Sequence, residues 1–149
     1  MLKNYTSSSS LPNIFNAIEK TLATHGAKQI VRDYDNQGKI TAIAFVVGTK
    51  NGDLAIRLPA RFDKVERIFQ EQGVRYKPEQ PYRTAWATIR DWVDAQMALI
   101  DWEMVKPEEV FLPYAIHRSG KTFFEVMENQ NFQLGSGTQE GEVVEEGDK

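Results

Sequence analysis

The sequence has no cysteine, which excludes a disulfide framework, a thiolate zinc site and a cysteine nucleophile. It has two histidines, His25 and His117, and neither stands in the strand–turn–helix context of a nucleophile elbow. No glycine-rich stretch joins a strand to a helix, which removes the usual phosphate loop. The longest apolar run, residues 40–47, is too short to cross a bilayer, and residues 1–10 lack the apolar centre of a signal peptide. We therefore expect a cytoplasmic protein that does not contact a membrane.

Carboxylates are the remaining candidates for metal chemistry. Asp33 and Asp35 are separated by one residue at the end of a predicted strand, so both could point to one side and hold a magnesium ion. Asp91 and Asp94 share a helix face, but neither pair is accompanied by the Glu-x-Lys of a restriction-type nuclease. We predict no enzymatic activity and no cofactor, with a metal at Asp33 and Asp35 as a distant alternative.

Charge is unevenly distributed along the chain. The formal net charge is −3, yet residues 135–149 alone carry five carboxylates against Lys149. Residues 28–83 carry 11 basic and 7 acidic side chains, an excess of four positive charges. Composition predicts a flexible arm over residues 1–10, a single domain over 11–134, and a disordered acidic tail over 135–149.

Hydrophobic periodicity and turn signals predict an α+β fold. Ser10 can cap a first helix that ends near Gly26. Three strands then follow, joined by short connections that favour antiparallel pairing in a three-stranded meander. Shorter helices complete the domain. The predicted strands cover residues 28–34, 39–47 and 53–58. The shorter helices cover residues 63–72 and 122–131, and residues 107–109 are expected to begin a new helical turn.

All three tryptophans lie in the predicted central helix, residues 85–104. Apolar side chains cover an arc of roughly 200° around it, which is wide for a surface helix. The sequence therefore predicts a long buried helix that is covered on two sides and carries the sheet. Pro107 interrupts it, and an apolar cluster at residues 110–116 is expected to pack back on it.

Basic and aromatic side chains are concentrated in and beside the meander. A sheet face that combines rings for base stacking with cations for phosphates can hold single-stranded nucleic acid without reading its sequence. We therefore predict a non-enzymatic protein that binds single-stranded DNA, with the acidic tail competing for that face or recruiting partners. The predicted contacts are Arg32, Tyr34, Lys39, Phe45, Lys50, Arg57, Arg61, Arg67, Arg75, Tyr76 and Lys77.

The alternative is a protein–protein interaction module. The wide apolar arc of the central helix and the apolar cluster at residues 110–116 would suit a surface that binds a host or phage protein. A second copy of the chain would suit the same surface.

The central helix also carries a resemblance. Ala85-Trp86, Asp91-Trp92, the run AQMALI at residues 95–100 and EEVFLPY at residues 108–114 resemble a family of small bacteriophage and prophage proteins. The similarity covers most of residues 29–114 and brings no catalytic residues with it. It implies a role in the host cytoplasm, in phage DNA metabolism or host interference. The order of meander and helix also resembles single-stranded-DNA-binding domains of the coactivator and Whirly kind.

Overall fold

The computed structural model describes residues 2–133, and the predicted acidic tail lies outside these residues. They form an α+β fold in which a three-stranded antiparallel sheet packs against helices. In chain order the elements are α1 (Leu11–Thr24), β1 (Ala27–Tyr34), β2 (Ile40–Thr49), β3 (Gly52–Pro59), α2 (Phe62–Glu71), α3 (Gln80–Asp101), α4 (Pro107–Phe111), a 3₁₀ turn (Leu112–Tyr114) and α5 (Phe123–Asn129). The predicted meander and the predicted order of helices are confirmed.

Local signals set most of the element ends. The Ser10 hydroxyl accepts a hydrogen bond from the backbone N–H of Asn13 at 3.3 Å, which caps α1. The side chain of Asp35 accepts the backbone N–H groups of Gln37 and Lys39, at 2.8 and 2.9 Å, and so closes the turn between β1 and β2. These short-range bonds explain why the sequence pattern located the elements.

The sheet has the order β1-β2-β3, and its helix-facing side holds the core. Ile43, Phe45 and Val47 of β2 are buried on that side. Trp86 of α3 lies against them with no exposed surface, and its ring meets Phe15 of α1 edge to face at 5.1 Å between centroids. The core is thus one layer between the sheet and the helices.

A buried clamp fastens α3 to the sheet. The Tyr82 hydroxyl accepts the backbone N–H of Ile40 at 2.7 Å and donates to the carbonyl of the same residue at 2.8 Å. The indole N–H of Trp86 donates to that carbonyl at 3.3 Å. The clamp satisfies polar backbone groups of β2 that would otherwise be buried without partners.

The predicted cluster at residues 110–116 does pack on the second half of the central helix, where Phe111 and Tyr114 meet Trp92 edge to face, but the end of the predicted helix is not covered. α3 begins earlier than expected, at Gln80, and ends at Asp101. Trp102 is 79% exposed and Met104 is 68% exposed, because Glu103 takes a left-handed conformation (φ 58°) that turns the chain away from the helix. Ala95, part of the predicted apolar arc, is also exposed. No helix within residues 2–133 is both long and apolar enough to cross a membrane.

Candidate binding cleft

The open face of the sheet is not the basic, aromatic surface that the sequence predicts. Side chains alternate along a strand, so Ala44 and Val46 of β2 lie opposite to the core, beside Val31, Ala55 and Arg57 of the neighbouring strands. Arg57 is the one basic residue among these five. Its Nη2 donates to the carbonyl of Gly120 at 2.7 Å and lies 3.8 Å from Glu125.

Two predicted contacts belong to the helix-facing side. Phe45 is 2% exposed and packs edge to face on Phe111 at 5.4 Å, so its prediction as a nucleic-acid contact is wrong. The register between β1 and β2 pairs Arg32 with Ile43, which places Arg32 on the core side. Its Nε donates to Glu19 at 2.6 Å, and its guanidinium lies over the ring of Phe15, so most of its charge is already compensated.

The ends of the sheet separate three further candidates. Tyr34 is exposed at the end of β1, and the Lys39 ammonium lies 5.6 Å from the ring centres of both Phe62 and Tyr82. Lys50 lies in the turn between β2 and β3, at the other end of β2. β2 spans ten residues, which corresponds to roughly 30 Å, so these side chains cannot share one small site.

The structure does bring together Arg75, Tyr76 and Lys77, which form the connection between α2 and α3. They line a cleft of about 600 Å³ between this connection, the start of α3 and the N-terminal segment. We call it the arm cleft. The side chains around it are cationic, aromatic, hydroxyl-bearing or, in the case of Gln80, an amide, and no carboxylate of the described chain lines it. The lining residues are Tyr5, Thr6, Ser7, Ser8, Arg75, Tyr76, Lys77, Gln80 and Arg83.

The N-terminal segment, expected as a loose arm, is held against α3. The hydroxyl of Thr84 donates to the carbonyl of Asn4 at 2.9 Å, and the Gln80 amide donates to the carbonyl of Ser7 at 3.2 Å. Asn4 also donates to Asp91 at 3.0 Å, and the Lys3 ammonium lies 3.3 Å from the same carboxylate. These contacts make the segment one wall of the arm cleft.

The pKa of Asp91 is shifted by the residues that bind it, including two from the arm. Partial burial opposes its ionisation, but hydrogen bonds from Asn4 and Arg90 outweigh that cost, and the pKa of Asp91 is lowered. Arg90 Nε donates to it at 3.0 Å. At neutral pH the carboxylate is therefore charged and accepts bonds from the arm.

Hydrogen bonds from neighbouring side chains hold two residues of the arm cleft, Tyr76 and Arg83, in position. The Tyr76 hydroxyl donates to Glu66 at 3.1 Å and accepts the Gln70 amide at 3.0 Å. Arg83 donates through Nη1 to Gln80 and through Nη2 to Glu79, each at 3.1 Å. Its Nε is buried and has no hydrogen-bond partner within the described residues. Sequence reasoning omitted Arg83, although its spacing of four from Glu79 is a signal for a fixed guanidinium.

The other predicted cations lie apart from the arm cleft. Arg67 is exposed on α2 and lies 3.6 Å from Glu71. Arg61 is exposed at the rim of a smaller apolar cleft of about 240 Å³ that contains Trp92 and Tyr114. The residues predicted to bind nucleic acid are therefore divided between several surfaces. Three of them, Arg75, Tyr76 and Lys77, lie together in the arm cleft.

The residues considered for catalysis have local structural partners. Asp35 is occupied by the turn that it closes. His117 Nδ1 accepts the backbone N–H of Ser119 at 3.1 Å within an exposed turn. Within residues 2–133 no three histidine, aspartate or glutamate side chains lie close enough to hold a metal ion.

No protein-family model matches the chain, and no curated protein or solved structure was found that is significantly similar to it. The resemblance to phage and prophage proteins therefore stays a prediction.

Proposed function

We propose that the protein is a non-enzymatic binding protein that holds single-stranded nucleic acid in the arm cleft. The observation that supports this proposal is the lining of the cleft, with three cations, two tyrosines and no carboxylate. Cations beside accessible rings suit a strand whose phosphates and bases are both exposed. The cleft replaces the open sheet face as the proposed surface, and it keeps Arg75, Tyr76 and Lys77 from the predicted set.

The cationic side chains of the cleft are suited to phosphates, and its aromatic rings are suited to bases. Arg75 and Lys77 are exposed and free to meet phosphates, whereas Arg83 offers a guanidinium already fixed by Glu79 and Gln80. The Tyr76 ring is positioned by its hydroxyl bonds and by Phe69 at 5.4 Å, so it offers a face for a base. Such contacts hold the strand without reading its sequence.

The small number of cations limits the salt dependence that we expect. Each neutralised phosphate of a single strand contributes about −0.7 to the slope of log affinity against log salt. Three cations therefore predict a slope of at most roughly −2, because Arg83 is already paired with Glu79. Because few phosphates are neutralised, we expect binding to require protein concentrations on the order of micromolar.

Fluorescence anisotropy with a labelled oligothymidylate tests the proposal. The double variant Arg75→Ala, Lys77→Ala should weaken binding and reduce the salt slope by roughly 1.4. The matched control is Lys20→Ala, Lys64→Ala, which removes the same charge from exposed helix positions outside the cleft and should bind like the wild type. Absence of salt-dependent binding at micromolar protein would overturn the proposal.

The acidic tail is proposed to compete for the same cleft. Its carboxylates have the charge that the cleft would accept in place of phosphate. Replacing Glu140, Glu142, Glu145 and Glu146 with glutamine should tighten oligonucleotide binding at low salt. Unchanged affinity would argue that the tail serves another purpose, such as recruiting a partner.

A second candidate function is binding to another protein. Six of the eight large apolar side chains that are exposed in the described chain lie between residues 102 and 132. Exposed apolar side chains are typical of an interaction site, and Phe124 and Phe132 among them pack on each other at 5.6 Å. The six are Trp102, Met104, Leu112, Phe123, Phe124 and Phe132.

Sedimentation and partner capture distinguish this candidate from nucleic-acid binding. A variant with Trp102→Ser and Phe132→Ser should lose self-association or a captured host protein, while its affinity for oligothymidylate should not change. A monomeric wild type that captures nothing above background would count against the second candidate.

A further inference from the structure

The smaller cleft beside Arg61 is a corner formed by two aromatic rings. Trp92 of α3 and Tyr114 of the 3₁₀ turn are 5.7 Å apart between ring centres, at an angle of 72°. Both side chains are half-buried, and Pro59 and Ile89 complete the walls. A flat ring can stack on one of the two aromatic faces while its edge meets the other.

Among the polar residues that line this corner, Arg61 carries the charge and Thr88 is already hydrogen-bonded. The hydroxyl of Thr88 donates to the carbonyl of Thr84 at 2.8 Å and accepts the amide of Asn4 at 3.4 Å, so its bonds are made within the protein. Arg61 is exposed at the rim. Glu125 offsets part of its charge: the pKa of Glu125 is lowered, first by the backbone N–H of Thr122 and further by Arg57 and Arg61.

The corner is connected to the arm cleft through α3 and the arm. Gln80 lines the arm cleft, Thr84 and Thr88 bind Asn4, and Thr88 and Trp92 line the corner. These four positions recur every fourth residue, so they form one stripe along the helix. From Gln80 to Trp92 the helix rises about 18 Å. The arm covers the stripe between the two clefts, where Thr84 is buried, so a short single strand would span this distance across the arm.

We propose that the corner between Trp92 and Tyr114 receives one unpaired base of the strand whose phosphates occupy the arm cleft, with Arg61 at a phosphate beside it. This inference rests on the proposed function. The rings supply stacking, which any base can provide because every base has a planar aromatic face. The corner therefore accepts any base, and the area of the base that stacks on the rings determines how much it adds to the affinity.

The experiment compares oligothymidylate with an abasic strand of the same length, by anisotropy. Tyr114→Ala should bind oligothymidylate roughly tenfold more weakly than the wild type. Tyr114→Phe retains the ring and should bind like the wild type. The matched control is Trp102→Ala, which removes an aromatic ring that lies outside both clefts. The abasic strand keeps the phosphates, so the wild type and Tyr114→Ala should bind it equally.

Failure of this inference differs from failure of the proposed function. If Tyr114→Ala binds oligothymidylate like the wild type while Arg75→Ala, Lys77→Ala weakens binding, the corner is not a base site and the arm cleft survives. If the wild type shows no salt-dependent binding, both the arm cleft as a nucleic-acid site and the corner as a base site are overturned. If thermal unfolding shows that Tyr114→Ala is not folded, Arg61→Ala decides instead. It should reduce the salt slope by up to about 0.7, and an unchanged slope overturns the inference.

Discussion

The first half of α3 is surrounded by protein, whereas the second half is covered along one stripe. From Pro81 to Ala87 six of seven residues are buried. Beyond Thr88 the buried residues are Val93 and Met97. The apolar content of the two halves is similar, so composition does not explain the difference. The neighbouring elements explain it. α1 accompanies the whole helix, α2 and the arm meet its first part as far as Asp91, and Phe111 and Tyr114 meet its second half at Trp92.

Contacts along the two halves support this explanation. Phe15 of α1 packs on Trp86, and His25 at the other end of α1 meets Asp101, so α1 follows α3 throughout. Phe62 of α2 packs on Tyr82 at 5.0 Å, near the start of α3. Burial of a helix therefore depends on the length of the elements beside it. A long apolar helix can leave one end available for other molecules.

The largest expected effect on stability contrasts Trp86, in the first half of α3, with Trp102, which follows the end of α3. Trp86→Ala should lower the free energy of unfolding by about 3–5 kcal/mol, because it opens a cavity in the core. Trp102→Ala should change it by less than about 0.5 kcal/mol, because that ring is mostly in water. Urea denaturation measures both values. Similar losses would mean that the chain immediately after α3 is covered after all.

The next effect concerns the clamp in the first half. Tyr82→Phe removes both hydrogen bonds to Ile40 and leaves a buried N–H without its partner, which should cost about 1–3 kcal/mol. Tyr34→Phe removes the same hydroxyl from an exposed ring and is the matched control. The same urea titration compares them, and equal stability of the two variants would contradict the clamp.

The smallest effect concerns His25, which ties α1 to the second half of α3. Nδ1 lies 2.7 Å from the Thr21 carbonyl and Nε2 lies 2.8 Å from Asp101. Both partners are acceptors, so the pair favours the doubly protonated ring. The pKa of His25 is raised, first by the bond to Thr21 and then by that to Asp101, with Asp94 adding to the effect.

Because the pKa is higher in the folded state, the stabilisation is complete below the unfolded pKa of about 6.5 and is lost as pH rises through the folded value. Partial exposure of the pair limits it to less than about 1 kcal/mol. The unfolding free energies of the wild type and His25→Gln should therefore differ more at about pH 5.5 than at about pH 8.5. A difference independent of pH would contradict this assignment.

Sequence reasoning predicted the elements whose causes are local. The Ser10 cap, the Asp35 turn and the Thr122 cap of α5 each involve a side chain and a backbone group within four residues. Such bonds can be inferred from spacing. The arm cleft could not be inferred in the same way, because Ser7 and Gln80 are 73 positions apart and meet through one hydrogen bond. Arg75, Tyr76 and Lys77 were predicted as candidates, but not their neighbours.

The amino-acid sequence by itself determined the α+β architecture, the strand pairing and the ends of most helices, because periodicity and capping act over a few residues. Only the tertiary structure decided which apolar side chains are in water. Phe45 and Tyr34 are both aromatic residues of the meander, yet one is in the core and the other is exposed. The pattern of a strand or helix sets the relative directions of its side chains. What lies opposite each of them depends on distant parts of the chain.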